Sequence, residues 1–567
     1  MTAAARRWWL GAGVFLVLAW LVGYPLIVTM VAAWRVESGG SVGGIGGIGG
    51  IGAPFAEFLQ RPDEWTALLR SLWISLASVG LAGAVGVPLA FLFARAEFPG
   101  RRLLGELLAL PVALPPLVGV IAFLYLYGES GMATRLVGSL VHSTGAPWRL
   151  TGPGAILLVH TYSMYVYFYL FTRAALARFD GAQLEAAASL GAGRWRTLRR
   201  VVLPGLAPAL AAAAILTFLT ALGSFSAPYI FGGSFRVMTT QILASRQNGD
   251  VDIAEVETFC LIVVAIGGLL AARWLERRYL GRIAATQRGT PPERRRVRSR
   301  AARLGLTLAG WLLALFLLLP HLTLILISFV PRASWTTELF PPVFSLANYR
   351  ALGSAAEALR PVANSLWMAL GATAGALLLG FAAARRALDR RPGGVFWARS
   401  IGFLVAVPWA VPATAYAVAL ATTMSVHAPL AGRFLLVGTV GILPLAYLVR
   451  ALPATGQAAM AALSQLDPQL EEASASLGAG KLRTLRRVTL PRLRPALAAG
   501  ASLAFLAAFG DFVVSIVLYT YETRPISIEI LSNLRLQETG VAAVYGVLLT
   551  ALSAAAFLLW GREKEVR

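Results

Sequence analysis

The chain has 567 residues, 57% hydrophobic and only 14% charged, with a mean hydropathy of +0.69. A soluble domain carries about a quarter charged residues, so a soluble globular fold is excluded. Apolar runs of about 20 residues, separated by Arg-rich clusters, mark a polytopic all-α membrane protein, because lipid cannot satisfy unpaired backbone. The formal net charge of +23 would suggest nucleic acid in a soluble chain. Here cationic loops on one side of a membrane explain it, and no nucleic-acid partner is expected beside the lipid.

In chain order, Arg6 and Arg7 precede an apolar run at 8–31 that is too long for a signal-peptide core and reads as a retained first helix. About twelve spans are predicted. Those of the first half fall near 8–31, 68–94, 103–127, 153–177, 206–232 and 256–280. Those of the second fall near 303–330, 363–387, 397–424, 434–452, 495–519 and 541–560, the span at 434–452 being short and containing Pro444. With both termini placed in the cytoplasm, the dense arginine clusters fall in the inner loops 95–102, 178–205, 281–302, 385–396 and 453–494. A glycine-rich stretch at 39–52 reads as an external flexible linker. The chain divides into a first repeat at 1–283, a cytoplasmic linker at 284–302 and a second repeat at 303–567.

An internal repeat decides the architecture. Residues 185–210 (EAAASLGAGRWRTLRRVVLPGLAPAL) align without gaps, 287 residues apart, with 472–497 (EASASLGAGKLRTLRRVTLPRLRPAL), agreeing at 20 of 26 positions. Chance gives about two or three. The likeness runs on: Leu222-Gly223-Ser224-Phe225 aligns with Phe509-Gly510-Asp511-Phe512, and Pro111 and Pro115 have counterparts in Pro408 and Pro412. Six helices per half is an even number, so the halves are parallel repeats about an axis along the membrane normal. Within each repeated loop an Ala-rich helical turn, a Gly-Ala-Gly bend and a basic segment lead to a Leu-Pro entry into the next span. The positive-inside rule accounts for the arginines. It does not account for Glu, Gly-Ala-Gly and Leu-Pro recurring at fixed spacing, which reads as a surface that another protein grips.

These loops resemble the signature of permeases of binding-protein-dependent ABC importers: E-A-A, three residues, G, nine residues, then I-x-L-P. Glu185, Ala186, Ala187, Gly191, Leu203 and Pro204 match, as do Glu472, Ala473, Gly478, Leu490 and Pro491, with Ser474 in place of the third motif residue. The resemblance implies that both loops couple to two copies of an ABC ATPase subunit. It also implies a periplasmic or lipid-anchored solute-binding protein, a bacterial inner-membrane location and no cofactor. Two copies in one chain look like the fused subgroup that includes ferric-iron and thiamine permeases. The stretch from Gly510 to Tyr519, then Arg524-Pro525-Ile526-Ser527 and Glu529-Ile530, looks more like the ferric-iron type, with thiamine, phosphonate or polyamine as alternatives.

The chain is expected to have no ATP site of its own and not to be an enzyme. Gly478-Ala479-Gly480-Lys481 is followed by Leu482 where a P-loop requires Ser or Thr. Polar residues inside spans are functional candidates because burying them is costly. His160, read near the start of the fourth span, Asp511 and Ser224 are therefore candidates for the translocation pathway. For each there is a plainer reading: His160 as a hydrogen-bonded packing residue, Asp511 as the cap of a helix break beside Gly510. Glu106 is close enough to the interface to reach water. Tyr162, Tyr165, Tyr167 and Tyr169 read as aromatic packing or an interfacial belt. An ion-coupled transporter would need more protonatable groups at mid-membrane, and four scattered histidines (His142, His160, His321, His427) give a membrane enzyme or a metal site no support. The lone Cys260 can form no internal disulfide.

Overall fold

The computed structural model describes residues 3–34, 52–113, 115–143, 145–283, 295–297, 299–331, 340–354, 356–389, 394–425 and 435–561. The glycine-rich stretch, apart from Gly52, and most of the linker between the halves lie outside the described residues.

In the first half, α1 (Ala3–Leu18) passes through a π-helical turn at Ala19–Gly23 into α2 (Tyr24–Ala32). Next come α3 (Pro62–Arg95), α4 (Arg101–Leu107), α5 (Pro116–Tyr127), α6 (Met132–Val141) and α7 (Gly152–Leu176). After these stand α8 (Gly181–Ser189), α9 (Leu203–Leu222), α10 (Ser226–Phe231), α11 (Met238–Gln247) and α12 (Val251–Ile283).

The second half repeats the order. It begins with α13 (Arg300–Ser328), α14 (Ala356–Ala387), α15 (Val395–Ala410), α16 (Ala413–Thr423) and α17 (Ile442–Gln465). It continues with α18 (Pro468–Ser476), α19 (Leu490–Phe509), α20 (Val513–Leu518), α21 (Ile526–Arg535) and α22 (Thr539–Gly561).

Among the described residues ten spans are long and apolar enough to cross a membrane, and the bent pair α15–α16 makes an eleventh. Helix α17 stands where α7 stands in the first half and completes the parallel six-plus-six plan; Arg450, Gln457 and Gln465 dilute its apolar character. Sequence reading placed this span at 434–452. The helix instead starts at Ile442 and runs through Pro453 and Gly456 to Gln465, ending just before Asp467, which caps the next helix.

The third and fifth spans of each half are broken rather than continuous. In the second half α15 and α16 meet at 111°. Pro412 offers no N–H to continue α15 and pushes Val411 into an extended conformation (ψ 124°). In the first half the same place holds α4, a 3-10 turn at Leu110–Ala113 and then α5 behind Pro115. The fifth spans break at Gly223 and Gly510.

The halves are interleaved. Helices α1 and α2 pack on α15 and α16, while α13 packs on α5. Trp397 meets Trp8 and Phe15 at ring-centroid distances of 5.5 and 4.9 Å, and the Tyr416 hydroxyl donates to the Leu21 carbonyl at 2.8 Å. On the other side Tyr162 donates to the Leu317 carbonyl at 2.6 Å. Helices α3 and α14 correspond at an offset of 294. Ser71 and Ser365 each accept the first N–H of a corresponding helix, Met238 of α11 at 2.7 Å and Ile526 of α21 at 2.9 Å. The linker returns to the first half as a two-residue parallel bridge, Ala96 beside Arg295 and Glu97 beside Arg296.

Candidate functional site

Two sites emerge, the repeated loops and the meeting point of the helix breaks. Each loop is built identically in outline. Asp180 caps α8 by accepting from Ala182 N–H at 3.1 Å, and Asp467 caps α18 by accepting from Gln469 N–H at 2.9 Å. Gly191 (φ 70°) and Gly478 (φ 76°) then reverse the chain in the left-handed region that a Cβ disfavours. A short helix (Arg194–Thr197 or Lys481–Thr484) and a π-helical turn (Leu198–Val202 or Leu485–Thr489) lead into α9 and α19, whose first residues are Leu203-Pro204 and Leu490-Pro491. Each proline falls where the π-helical turn passes into the α-helix, with Leu203 N–H bonded to the Leu198 carbonyl and Leu490 N–H to the Leu485 carbonyl.

Glu185, Ala186, Glu472 and Ala473 are exposed, while Ala187 is buried against its own loop. At the tips stand Leu190 and Leu477, 86% and 88% exposed, flanked by exposed Trp195 and Leu482. A leucine held out in water at the same place in both repeats costs apolar burial unless a partner covers it. These leucines lie within the repeat and the capping aspartates just before it, yet sequence reading passed over them. Identity across the copies shows that a residue matters without showing which way it points.

The second site lies where the halves cross. A Cβ on Gly510 would sit 3.0 Å from the Pro115 side chain, and one on Gly223 would sit 3.6 Å from Pro412. The break in each fifth span thus abuts the break in the other half's third span. Phe225 and Phe512, 287 residues apart and both buried, meet across this seam with centroids 5.7 Å apart. Tyr229 stacks on Phe225 at 5.1 Å and receives a hydrogen bond from Arg535. Together the rings fill the seam.

The three pathway candidates surround this plug. His160 lies two turns inside α7, not near its start, and is 1% exposed. Its Nδ1 stands 2.8 Å from Ser78 Oγ and its Nε2 2.8 Å from Ser224 Oγ. Ser78 directs its only proton to the Ile74 carbonyl at 2.6 Å. The ring therefore donates from Nδ1 and accepts from Ser224 at Nε2, tying α3, α7 and the α9–α10 break together. Asp511, the counterpart of Ser224, accepts from Val514 and Ser515 N–H at 2.9 and 3.2 Å, capping α20 at the break. Tyr447, the counterpart of His160, meets Ser515 Oγ at 2.6 Å. Both predicted groups thus hold helix breaks in place, as the plainer reading of each expected.

Arg450 was not singled out from the sequence, and the tyrosines of α7 were read there only as packing or an interfacial belt. Arg450 donates to the Pro408 and Val411 carbonyls at 3.0 and 3.1 Å, capping the end of α15 that Pro412 leaves open, and it interacts electrostatically with Asp511. In the first half the tyrosine ladder does this work: Tyr165 donates to Leu108 and Tyr169 to Gly105, at 2.7 and 3.1 Å. Backbone freed by a break inside a membrane must find such partners. Glu106 is exposed at the end of α4. Among the described residues no group of three or more His, Cys, Asp or Glu is placed to hold a metal.

The family model described as the binding-protein-dependent transport system inner membrane component matches residues 86–281 and 376–561, one match in each half. The chain belongs to that family. A probable ABC transporter permease protein of Sinorhizobium fredii is 30% identical to this permease over 559 residues, 97% of this chain and 95% of that protein. The ferric transport system permease protein FbpB of Actinobacillus pleuropneumoniae is 27% identical over 506 residues, 85% of this chain and 70% of that one. The molybdenum transport system permease protein ModB of Escherichia coli is 32% identical over 226 residues, 38% of this chain and 94% of its own length. The fused, two-copy permease reading and the all-α polytopic fold are thereby established, as is a multi-pass inner-membrane placement.

Proposed function

We propose that this permease is the translocation subunit of an ATP-driven importer, with both termini in the cytoplasm, and that its solute is ferric iron. The observation that carries the importer reading is the duplicated loop, with Leu190 and Leu477 presented bare at the same place in both repeats. In the mechanism proposed, an external binding protein delivers the solute. Two copies of a separate ATPase subunit hydrolyse ATP and grip the loops at 185–204 and 472–491 through the exposed leucines, Glu185 and Glu472. Their closure rocks one half against the other. Because each break abuts the opposite half, rocking parts Phe225 from Phe512 and opens the seam. His160, Ser224 and Asp511 act on the pathway by keeping the breaks in register.

Iron is favoured because the ferric transport relatives align across both halves, whereas the molybdenum transport relatives align with at most 38% of this chain. The higher identity of those shorter relatives, 35% at most among them, supports an oxyanion as the second reading. Uptake of radiolabelled ferric iron and of molybdate into vesicles holding the complete importer separates the two. Iron uptake that needs ATP and is not competed by molybdate supports the first. Molybdate uptake that iron does not compete supports the second.

A further inference from the structure

We infer that the two coupling loops are tied to the membrane helices by opposite chemistry, apolar in the first half and ionic in the second, so that the permease is driven unequally from its two sides. This rests on the reading that the loops engage an ATPase. Three corresponding positions carry the difference. In the first half Phe91 on α3, Leu184 on α8 and Val202 in the π-turn belong to one hydrophobic cluster with Leu176, Phe179 and Leu206. In the second half the same positions are Arg385 on α14, Glu471 on α18 and Thr489 in the π-turn, at offsets of 294, 287 and 287. Arg385 Nη2 stands 3.0 Å from Glu471 Oε1, and Thr489 Oγ1 donates to the same oxygen at 2.8 Å.

The three differences make chemical sense only together. A lone arginine or glutamate in the first cluster would be an unpaired charge among apolar side chains, and a lone leucine in the second would strand Arg385. Ser474, which departs from the loop signature, belongs to the same polar side: it meets Thr484 Oγ1 at 2.9 Å, where the first half has buried Ala187. Glu471 also stands beside Glu472, so the second loop separates the carboxylate that holds it to α14 from the exposed one.

The consequence is a difference in how the loops respond to their surroundings. The Arg385 and Glu471 side chains are 34% and 37% exposed, so solvent ions reach the pair. Raising KCl from about 0.05 M to about 1 M shortens the screening length to about 3 Å and weakens such a pair. It leaves the Phe91–Leu184–Val202 contact intact. Arg385, Glu471 and Thr489 are thus positioning residues that transmit motion of α18 to α14, and this drive fails first as ionic strength rises.

Hydrogen exchange on the purified permease tests this without any ATPase present. High KCl is expected to speed amide exchange in Pro468–Ser476 about two- to fivefold, the range of a partly exposed ion pair, and to leave Gly181–Ser189 unchanged. In R385F/E471L/T489V the salt response should vanish. The charge swap R385E/E471R, which keeps the pair, should retain both the protection and the salt response, while R385A should lose the protection. An equal salt response in both loops, or one that survives in the triple variant, would overturn the inference, as would a swap no better protected than R385A. If the importer reading failed instead, neither loop would retain an ATPase on co-purification, while the salt difference between the loops would remain.

Discussion

Leu190 and Leu477 are the residues whose surroundings least resemble their chemistry, each an apolar side chain surrounded by water at the tip of a loop. If they are the anchors of the ATPase interface, replacing either with serine should weaken binding of that subunit by about 2 kcal/mol, roughly thirtyfold, and leave the melting temperature unchanged. Titrating the ATPase against the detergent-solubilised permease would measure it. Arg450 makes the opposite case. Arg450→Met removes donors from the Pro408 and Val411 carbonyls and should destabilise the fold by about 1–3 kcal/mol. Thermal unfolding followed by tryptophan fluorescence would show it. An arginine at 450 within a predicted span was a visible signal in the sequence. What it satisfies was not, because the carbonyls it reaches lie about 40 residues away and are free only because of a break in another helix.

At the scale of elements, the breaks matter more than the spans. The spans were legible because each needs its own run of apolar residues. The breaks were less so, because the chain stays apolar on both sides of each one; the matched proline spacing of Pro111–Pro115 and Pro408–Pro412 and the Gly510-Asp511 pair hinted at them. The account predicts that the breaks carry the gate. Phe512→Ala, which removes one ring from the buried pair with Phe225, should let solute or small ions leak without ATP while the complex still assembles. A passive flux assay on vesicles lacking nucleotide would detect it. Pro412→Ala should act the other way. It restores an N–H and removes the constraint on Val411, so α15 and α16 tend toward one straight helix and ATP-driven transport falls. Helical content by circular dichroism should hold or rise slightly.

For the whole molecule, the duplication and its parallel sense could be read from a 26-residue repeat, since the number of helices between the copies fixes their orientation. The interleaving of the halves could not. An apolar helix carries no mark of which half it will pack on, and helices in lipid associate through close fit and interhelical hydrogen bonds rather than burial of greasy surface. Gly11 shows how closely the exchange ties the first helix to the other half. A Cβ there would lie 2.6 Å from the Trp397 ring in the other half. Gly11→Leu should therefore cost about 1–3 kcal/mol, and limited proteolysis should find the loosening in α15 as well as in α1.

The importer account stands on both loops passing motion into this frame. Its most direct test is ATP-dependent solute uptake by vesicles holding the permease, its ATPase and its binding protein, comparing the wild type with Glu185→Ala, Glu472→Ala and the double variant. The account predicts that each single variant loses most of the uptake and that the double variant loses it entirely, with the permease still folded. Uptake by the double variant at the wild-type rate, in vesicles without any ATPase, would contradict it and leave an ion-coupled transporter in its place.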